Sequence, residues 1–390
     1  MADIKRKKDK EEAGIQRNNN FFFCSFCFLM VCAKGVGLDS GDSIYFFMAI
    51  ISIPLWILYI TSLYWSPAEL RYAMTIFAIA CITTVITGMT GIILSVMAMI
   101  AMKDIERERL MRQILKLWAS CMAIVFFCVM CGIIPDRVVN RNGKIWHGMG
   151  YLTGNLFHAS VVILMILYLY YRKVKVTYTE LFLLCLANWF VYQYSASRTG
   201  LIVGIFAVVL DIVLKLFRRR EGFMKWIMSG LTAGMIMVFL FSFLLPFMYN
   251  GDWGSNNWVS VLNRMLTGRI QNGKAVFLSD SITLFGNQNG LSAFLDNAFM
   301  FLLVKYGIVV TLMLCMIYII AVKSMIQRKN IYGIYVIFLF VLYGFMEQFF
   351  INSFMNYSML LAGNEIMNVV LRGHGRTYSL RERKTDVRFE

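Results

Sequence analysis

Residues 72–102 read YAMTIFAIACITTVITGMTGIILSVMAMIAM, a long run without a single charge. As one helix rising 1.5 Å per residue it would be about 46 Å long, against a hydrocarbon core of about 30 Å. Its middle, Thr87-Gly88-Met89-Thr90-Gly91, has the composition of a tight turn. Whether the chain crosses a membrane once or twice here decides the fold, because the answer inverts the side of every later loop.

Similar apolar stretches recur at 21–36, 43–63, 115–135, 151–171, 179–196, 200–217, 226–248, 297–321, 331–352 and 354–371. The positive-inside rule chooses between the two parities. With 72–102 counted as two crossings there are 12, and both termini share the cytoplasmic side. That side then holds 29 of the 38 Lys and Arg residues, including the basic tails 1–20 and 372–390. With one crossing, the five basic residues of 103–116 would face outside and every later loop would invert. The even count is the expectation: an all-α polytopic membrane domain over 21–371 with 12 spans and one large outer loop, 249–296.

Composition agrees. Of the 390 residues, 59% are apolar and 15% charged, whereas soluble domains carry about 25% charged residues. This excludes a soluble globule and a disordered chain. The net charge of +16 reads as a topology signal, helped by anionic lipid, and nucleic acid is not an expected partner. The nine cysteines lie inside apolar stretches, so no disulfide framework is indicated. The basic N-terminus followed by Phe21 resembles a signal peptide, but no A-x-A-like site follows, and an uncleaved first span is expected. Trp65, Trp118, Trp146, Trp226 and Trp253 fall near span ends, as interfacial anchors do.

The polar material concentrates in the loop 249–296. Trp258, Val261, Leu262, Met265 and Leu266 recur at helical spacing, predicting an interfacial helix. Thr267-Gly268 breaks it and Arg269 opens a second helical stretch. Nine basic residues fall on the outer side, where the rule places few. Arg198 stands out: Ser195-Ala196-Ser197-Arg198-Thr199-Gly200 leaves almost no loop between two spans. A guanidinium there either snorkels to lipid head groups or binds an anionic, lipid-linked substrate with its fork of donors. Arg264 and Arg269 carry the same two readings, and Arg141 and Lys144 carry them more weakly. Asp296 and Asn297, where the loop enters a span, suit a general base facing a cavity or an ordinary helix N-cap. Glu347, deep within 331–352, should face the interior and pair with an arginine or Lys305. His147 and His158 have no ligand-like spacing, so neither metal nor cofactor is expected.

At these residues the chain resembles the family of Wzy-type polysaccharide polymerases and O-antigen ligases, bacterial membrane enzymes with about a dozen spans and one large outer loop. Ser197-Arg198-Thr199-Gly200 before an apolar helix is one signature. Leu266-Thr267-Gly268-Arg269 resembles an LSGR stretch. Leu284-Phe285-Gly286, Leu295-Asp296-Asn297-Ala298-Phe299 and Lys305-Tyr306-Gly307-Ile308 resemble the pattern closing the loop. Gly150-Tyr151-Leu152-Thr153-Gly154-Asn155 resembles GFxHPN, with Thr and Gly replacing His and Pro. The ordered set spans roughly residues 140–350.

The resemblance implies a metal-independent glycosyl transfer at the outer face of the bacterial cytoplasmic membrane, joining undecaprenyl-pyrophosphate-linked oligosaccharides. It implies Asp296 as base and Arg198 and Arg269 as charge stabilisers. Arg264, Arg141, Asn297, Ser197, Tyr306 and Glu347 would contact substrate, with membrane lipids and a chain-length regulator as candidate partners. The ligase branch typically has His before Asn where this chain has Asp296, which leans toward a polymerase. A flippase or other transporter would share the topology, but would more often place substrate groups on broken helices at midplane.

Overall fold

The computed structural model describes residues 22–39, 41–141, 144–289 and 291–371; the basic tails 1–20 and 372–390 lie outside them. The described chain is mostly helical, and seven of its helices are long and apolar enough to cross a membrane.

The turn in the diagnostic stretch is present. α1 (Phe22–Gly35) and α2 (Ser43–Thr61) lead into α3 (Pro67–Thr87). α3 opens with a capping box between Ser66 and Glu69 and with Pro67 in its first turn, a helix-start signal that satisfies two orphan amides at once. It ends at Gly88, whose φ of 71° is left-handed. α4 (Gly91–Ile100) then runs back along α3, so that Lys103 just beyond it meets Glu69 at the start of α3, 2.7 Å apart. Tyr59, near the end of α2, donates to the Lys103 carbonyl at 2.5 Å. Residues 67–103 therefore form a closed helical hairpin, and the chain returns to the end from which it came.

α5 (Arg107–Met130) is followed by a departure from the all-α expectation. Strands β1 (Val138–Arg141) and β2 (Lys144–His147) pair antiparallel, Val138 opposite His147. Val138, Val139, Ile145 and Trp146 are β-branched or aromatic, the residues that favour a pleated, half-exposed surface. α6 (Gly154–Arg172), α7 (Tyr178–Ser195), α8 (Arg198–Phe217) and α9 (Glu221–Met248) follow.

The described part of the loop after α9 holds two helices. α10 (Trp258–Met265) and α11 (Arg269–Ser279) occupy the two stretches where helices were expected, with Asn257 capping the first. On α10, Val259 is buried with Leu245, Tyr249 and Ile270, while Trp258, Val261 and Met265 remain exposed.

α12 (Ala298–Phe301) continues through a wide turn at Leu302–Tyr306 into α13 (Gly307–Gln327). The expected spans 331–352 and 354–371 are instead shorter. α14 (Ile331–Gly344) and α15 (Tyr357–Glu365) are joined by a non-helical break containing a single turn of 3-10 helix at Gln348–Ile351. α14 is about 21 Å long at 1.5 Å per residue. Both helices are buried almost all round. Irregular backbone is tolerated in such a protein where other protein or a cavity surrounds it.

Helix contacts are pinned by buried aromatic donors that reach helix carbonyls, as such groups do in apolar surroundings. Trp56 donates to Met97 at 2.8 Å, Trp118 to Ser160 at 3.0 Å and Tyr335 to Ala207 at 3.0 Å. Trp118 is thus an interior residue, not an interfacial anchor, whereas Trp226 is exposed.

Candidate functional site

The joint between α7 and α8 is two residues long. Ala196 is left-handed, with φ at 51°, and Ser197 caps α8 by accepting from the Gly200 amide at 3.4 Å. Arg198 is thereby set at the first position of α8 with its side chain exposed, while Thr199 and Gly200 are buried. Beneath the joint lies a polar network. His158 on α6 bonds Ser195 Oγ through Nδ1 (2.9 Å) and Asn188 Oδ1 through Nε2 (2.8 Å). Asn188 in turn donates to the Leu201 carbonyl at 3.0 Å. A Cβ at position 200 would stand 2.4 Å from the His158 ring, so only glycine lets α8 approach α6 this closely.

A second joint meets this one. Thr267 and Gly268 are consecutively left-handed, with φ of 55° and 87°, and turn the chain from α10 into α11. Arg269, the first residue of α11, extends its guanidinium to three acceptors from three other parts of the chain. Nε reaches Asp296 Oδ2 at 2.8 Å, Nη1 reaches Thr199 Oγ1 at 3.0 Å and Nη2 reaches Glu347 Oε1 at 3.1 Å. Planar donors on a rigid fork make Arg suited to such multiple contacts. Glu347 stands in the break after α14, not within a helix, and its pairing partner is Arg269. Lys305 is directed elsewhere, onto the carbonyls of Asn287 (3.3 Å) and Asn289. The next residue in the break, Gln348, donates to the Leu295 carbonyl and so braces the backbone beside Asp296.

The cluster faces a cleft of about 1180 Å³. Its walls come from the end of α1 and the start of α2 (Lys34, Tyr45), the turn Gly88–Gly91, the hairpin (Val139, Trp146) and Thr153–Leu156. The α7–α8 joint, the α10–α11 region and the break after α14 complete it.

Six expected site residues line this space: Arg198, Arg264, Arg269, Asp296, Tyr306 and Glu347. Three do not. Ser197 is buried as the cap of α8. Asn297 caps α12, its Oδ1 accepting from the amides of Phe299 and Met300. An oxygen already engaged by helix amides is not free for substrate. Arg141 ends β1, and its side chain lies outside the described residues. Arg264 lines the cleft, yet its Nη1 is held by the carbonyls of Trp253 (2.6 Å) and Ser255 (2.9 Å), which makes it a loop brace. Arg269, expected to await an anion, is already committed to two carboxylates.

That leaves Arg198, which makes no ion pair among the described residues although it shares the cleft with the cluster. Sequence reasoning missed Thr199, Gln348 and the His158–Asn188–Ser195 network. A histidine inside the apolar run 151–171 was the available signal for the last.

The stretch Gly150–Asn155 contributes Thr153, Gly154 and Asn155 to the cleft despite lacking His and Pro. Among the described residues no group of His, Cys, Asp and Glu is arranged to hold a metal ion. No protein-family model matches the chain, and no curated protein or solved structure matches it either.

Proposed function

We propose that the chain is a polysaccharide polymerase of the bacterial cytoplasmic membrane. It crosses 12 times with both termini inside and opens its cleft on the outer face. It acts on oligosaccharides carried by undecaprenyl pyrophosphate. The observation that carries this reading is the convergence of Thr199, Asp296 and Glu347 on the guanidinium of Arg269, in the cleft that the exposed Arg198 also lines. These residues come from three of the sequence stretches that resemble the polymerase and ligase family, plus the break after α14.

The chemistry follows from the charges. A hydroxyl oxygen of the acceptor sugar attacks the anomeric carbon of the donor glycan, forming the new glycosidic bond. The bond from that carbon to the pyrophosphate oxygen breaks, and its electron pair leaves with the carrier pyrophosphate. Fixed cations stabilise charge that develops on a leaving group, and Arg198 is the cation free to do so. The hydroxyl proton passes to Asp296. Asp296 Oδ2 is held by Arg269, while Oδ1 takes no hydrogen bond among the described residues. Arg269 is then the positioning residue, orienting both carboxylates and leaving Arg198 to meet the anion.

Asp296→Asn keeps shape and removes the base, a loss worth about 10²–10⁴ in rate. Cells carrying only that variant should accumulate single repeat units on carrier at the outer face, with little polymer. Long carrier-linked chains would indicate a ligase, inward-facing units a flippase, and normal polymer would remove Asp296 from the reaction. The crossing count has its own check: a reporter fused after Met111 should read cytoplasm and one at Asn272 outside, and the opposite pair of readings would overturn the count.

A further inference from the structure

Trp253 was expected to anchor the loop at a lipid interface, but its indole lines the cleft while remaining 48% exposed. Its six-membered ring lies over the start of α11: a Cβ placed on Gly268 would meet Cζ3 at 3.5 Å and Cη2 at 3.7 Å. Gly268 immediately precedes Arg269, so the ring stands next to the residue that holds Asp296 and Glu347.

The backbone that carries the indole is also braced. Arg264 clamps the carbonyls of Trp253 and Ser255, and Ser260 Oγ donates to the carbonyl of Asp252 at 2.8 Å. The Trp253 Nε1 has no hydrogen-bond partner among the described residues. An aromatic face on a braced loop, with a free N–H on its edge and on the wall of a large cleft lined by both polar and apolar groups, matches a pyranose ring, which has an apolar C–H face and a rim of hydroxyls.

Resting on the polymerase reading, we propose that Trp253 is the platform on which a sugar ring of the repeat unit stacks next to the reacting bond, and that Arg264 is its positioning residue.

The probe is carrier-free oligosaccharide, released by mild acid from the lipid-linked units of cells lacking this chain. Its binding to the full-length protein in nanodiscs is followed by saturation-transfer NMR. Trp253→Leu should weaken that binding by about tenfold or more, the scale on which a stacked ring is lost from an aromatic platform. Trp253→Tyr should restore it to within about threefold of wild type, since a planar face returns. Arg264→Ala should weaken it in the same direction, by releasing the loop backbone that carries the indole.

Inorganic pyrophosphate, titrated in parallel, should bind wild type and Trp253→Leu alike, reporting that the variant is folded. Unchanged oligosaccharide binding by Trp253→Leu would overturn the platform. So would a defect seen only with intact carrier-linked units, which would put lipid on the indole. If cells lacking the chain accumulate no single units, the polymerase reading fails and this inference fails with it.

Discussion

The molecule has charged clusters at both ends of its helices, and they are built differently. At the end where α3 begins and α4 returns, Lys103 and Glu69 pair at 2.7 Å with 2% and 4% of their side chains exposed. Arg107, four residues after Lys103, pairs with Glu365 at the end of α15 (3.6 Å), which also accepts from Ser324 at 2.6 Å and pairs with Arg328 (3.7 Å). At the other end of α3, past Gly88, the Arg269 cluster opens into the cleft, with Asp296 20% exposed and an unpaired Arg198 on the same wall. None of the Glu69, Lys103 or Glu365 side chains lines that cleft. The two clusters use the same ions. One closes a hairpin by matching charges out of contact with the cleft. The other leaves a carboxylate oxygen and a guanidinium uncommitted where a substrate can reach them.

Perturbing each end tests the contrast. The largest effect is expected from Arg269→Ala, which leaves two carboxylates without their common partner. Polymer formation should fall by at least the about 10²–10⁴ expected of losing the base itself, with the protein still in the membrane; a polymer ladder against a western blot reads both. Glu69→Gln should act oppositely. Breaking one partner of a buried pair destabilises by about 3–5 kcal/mol, so less protein should survive heating in detergent, while activity per folded molecule stays at the wild-type level. Lost activity at full stability there would erase the distinction.

Smaller effects sharpen the picture. Arg198→Lys keeps the charge but loses the fork, and a drop in activity without a shift in thermal midpoint would mark Arg198 as a phosphate contact, not a head-group anchor. Gly200→Ala places a Cβ 2.4 Å from the His158 ring. Overpacking of this kind destabilises by about 1–3 kcal/mol, and the shift of α8 should carry Thr199 away from Arg269. Replacing Glu69 and Lys103 together by Met should cost less stability than Glu69→Gln alone, since an apolar pair of similar volume is often neutral. Apolar replacement of Arg269, Asp296 and Glu347 together, which leaves no charge of the cluster unpartnered, should give a stable protein without activity.

Much of the architecture was legible from local chemistry. The Thr87–Gly91 turn could be read because the run is too long for a bilayer and glycines sit at its centre. The two loop helices could be read because their apolar residues repeat at helical spacing around Thr267-Gly268. The break between α14 and α15 was not legible: 331–352 is apolar apart from Glu347, Gln348 and Asn352, and hydropathy does not distinguish a continuous helix from two buried half-helices. The β hairpin was missed for a related reason, since four-residue strands carry little periodicity.

At the site, sequence singled out Arg198, Arg269, Asp296 and Glu347, because charge in an apolar chain is unfavourable unless something requires it. It could not assign partners. Arg269 is 27 residues from Asp296, 70 from Thr199 and 78 from Glu347, and nothing in local propensity encodes contacts at such separations. Composition and hydropathy determined by themselves that this is a helical chain with several segments apolar enough to cross a membrane. Only the packed helices decided that Arg269 is occupied and Arg198 is free, that Ser197 and Asn297 are caps, and that Trp253 faces the cleft. A charge's availability depends on which acceptors the fold brings within about 3 Å of it, and the fold sets that distance through helix packing, not through sequence order.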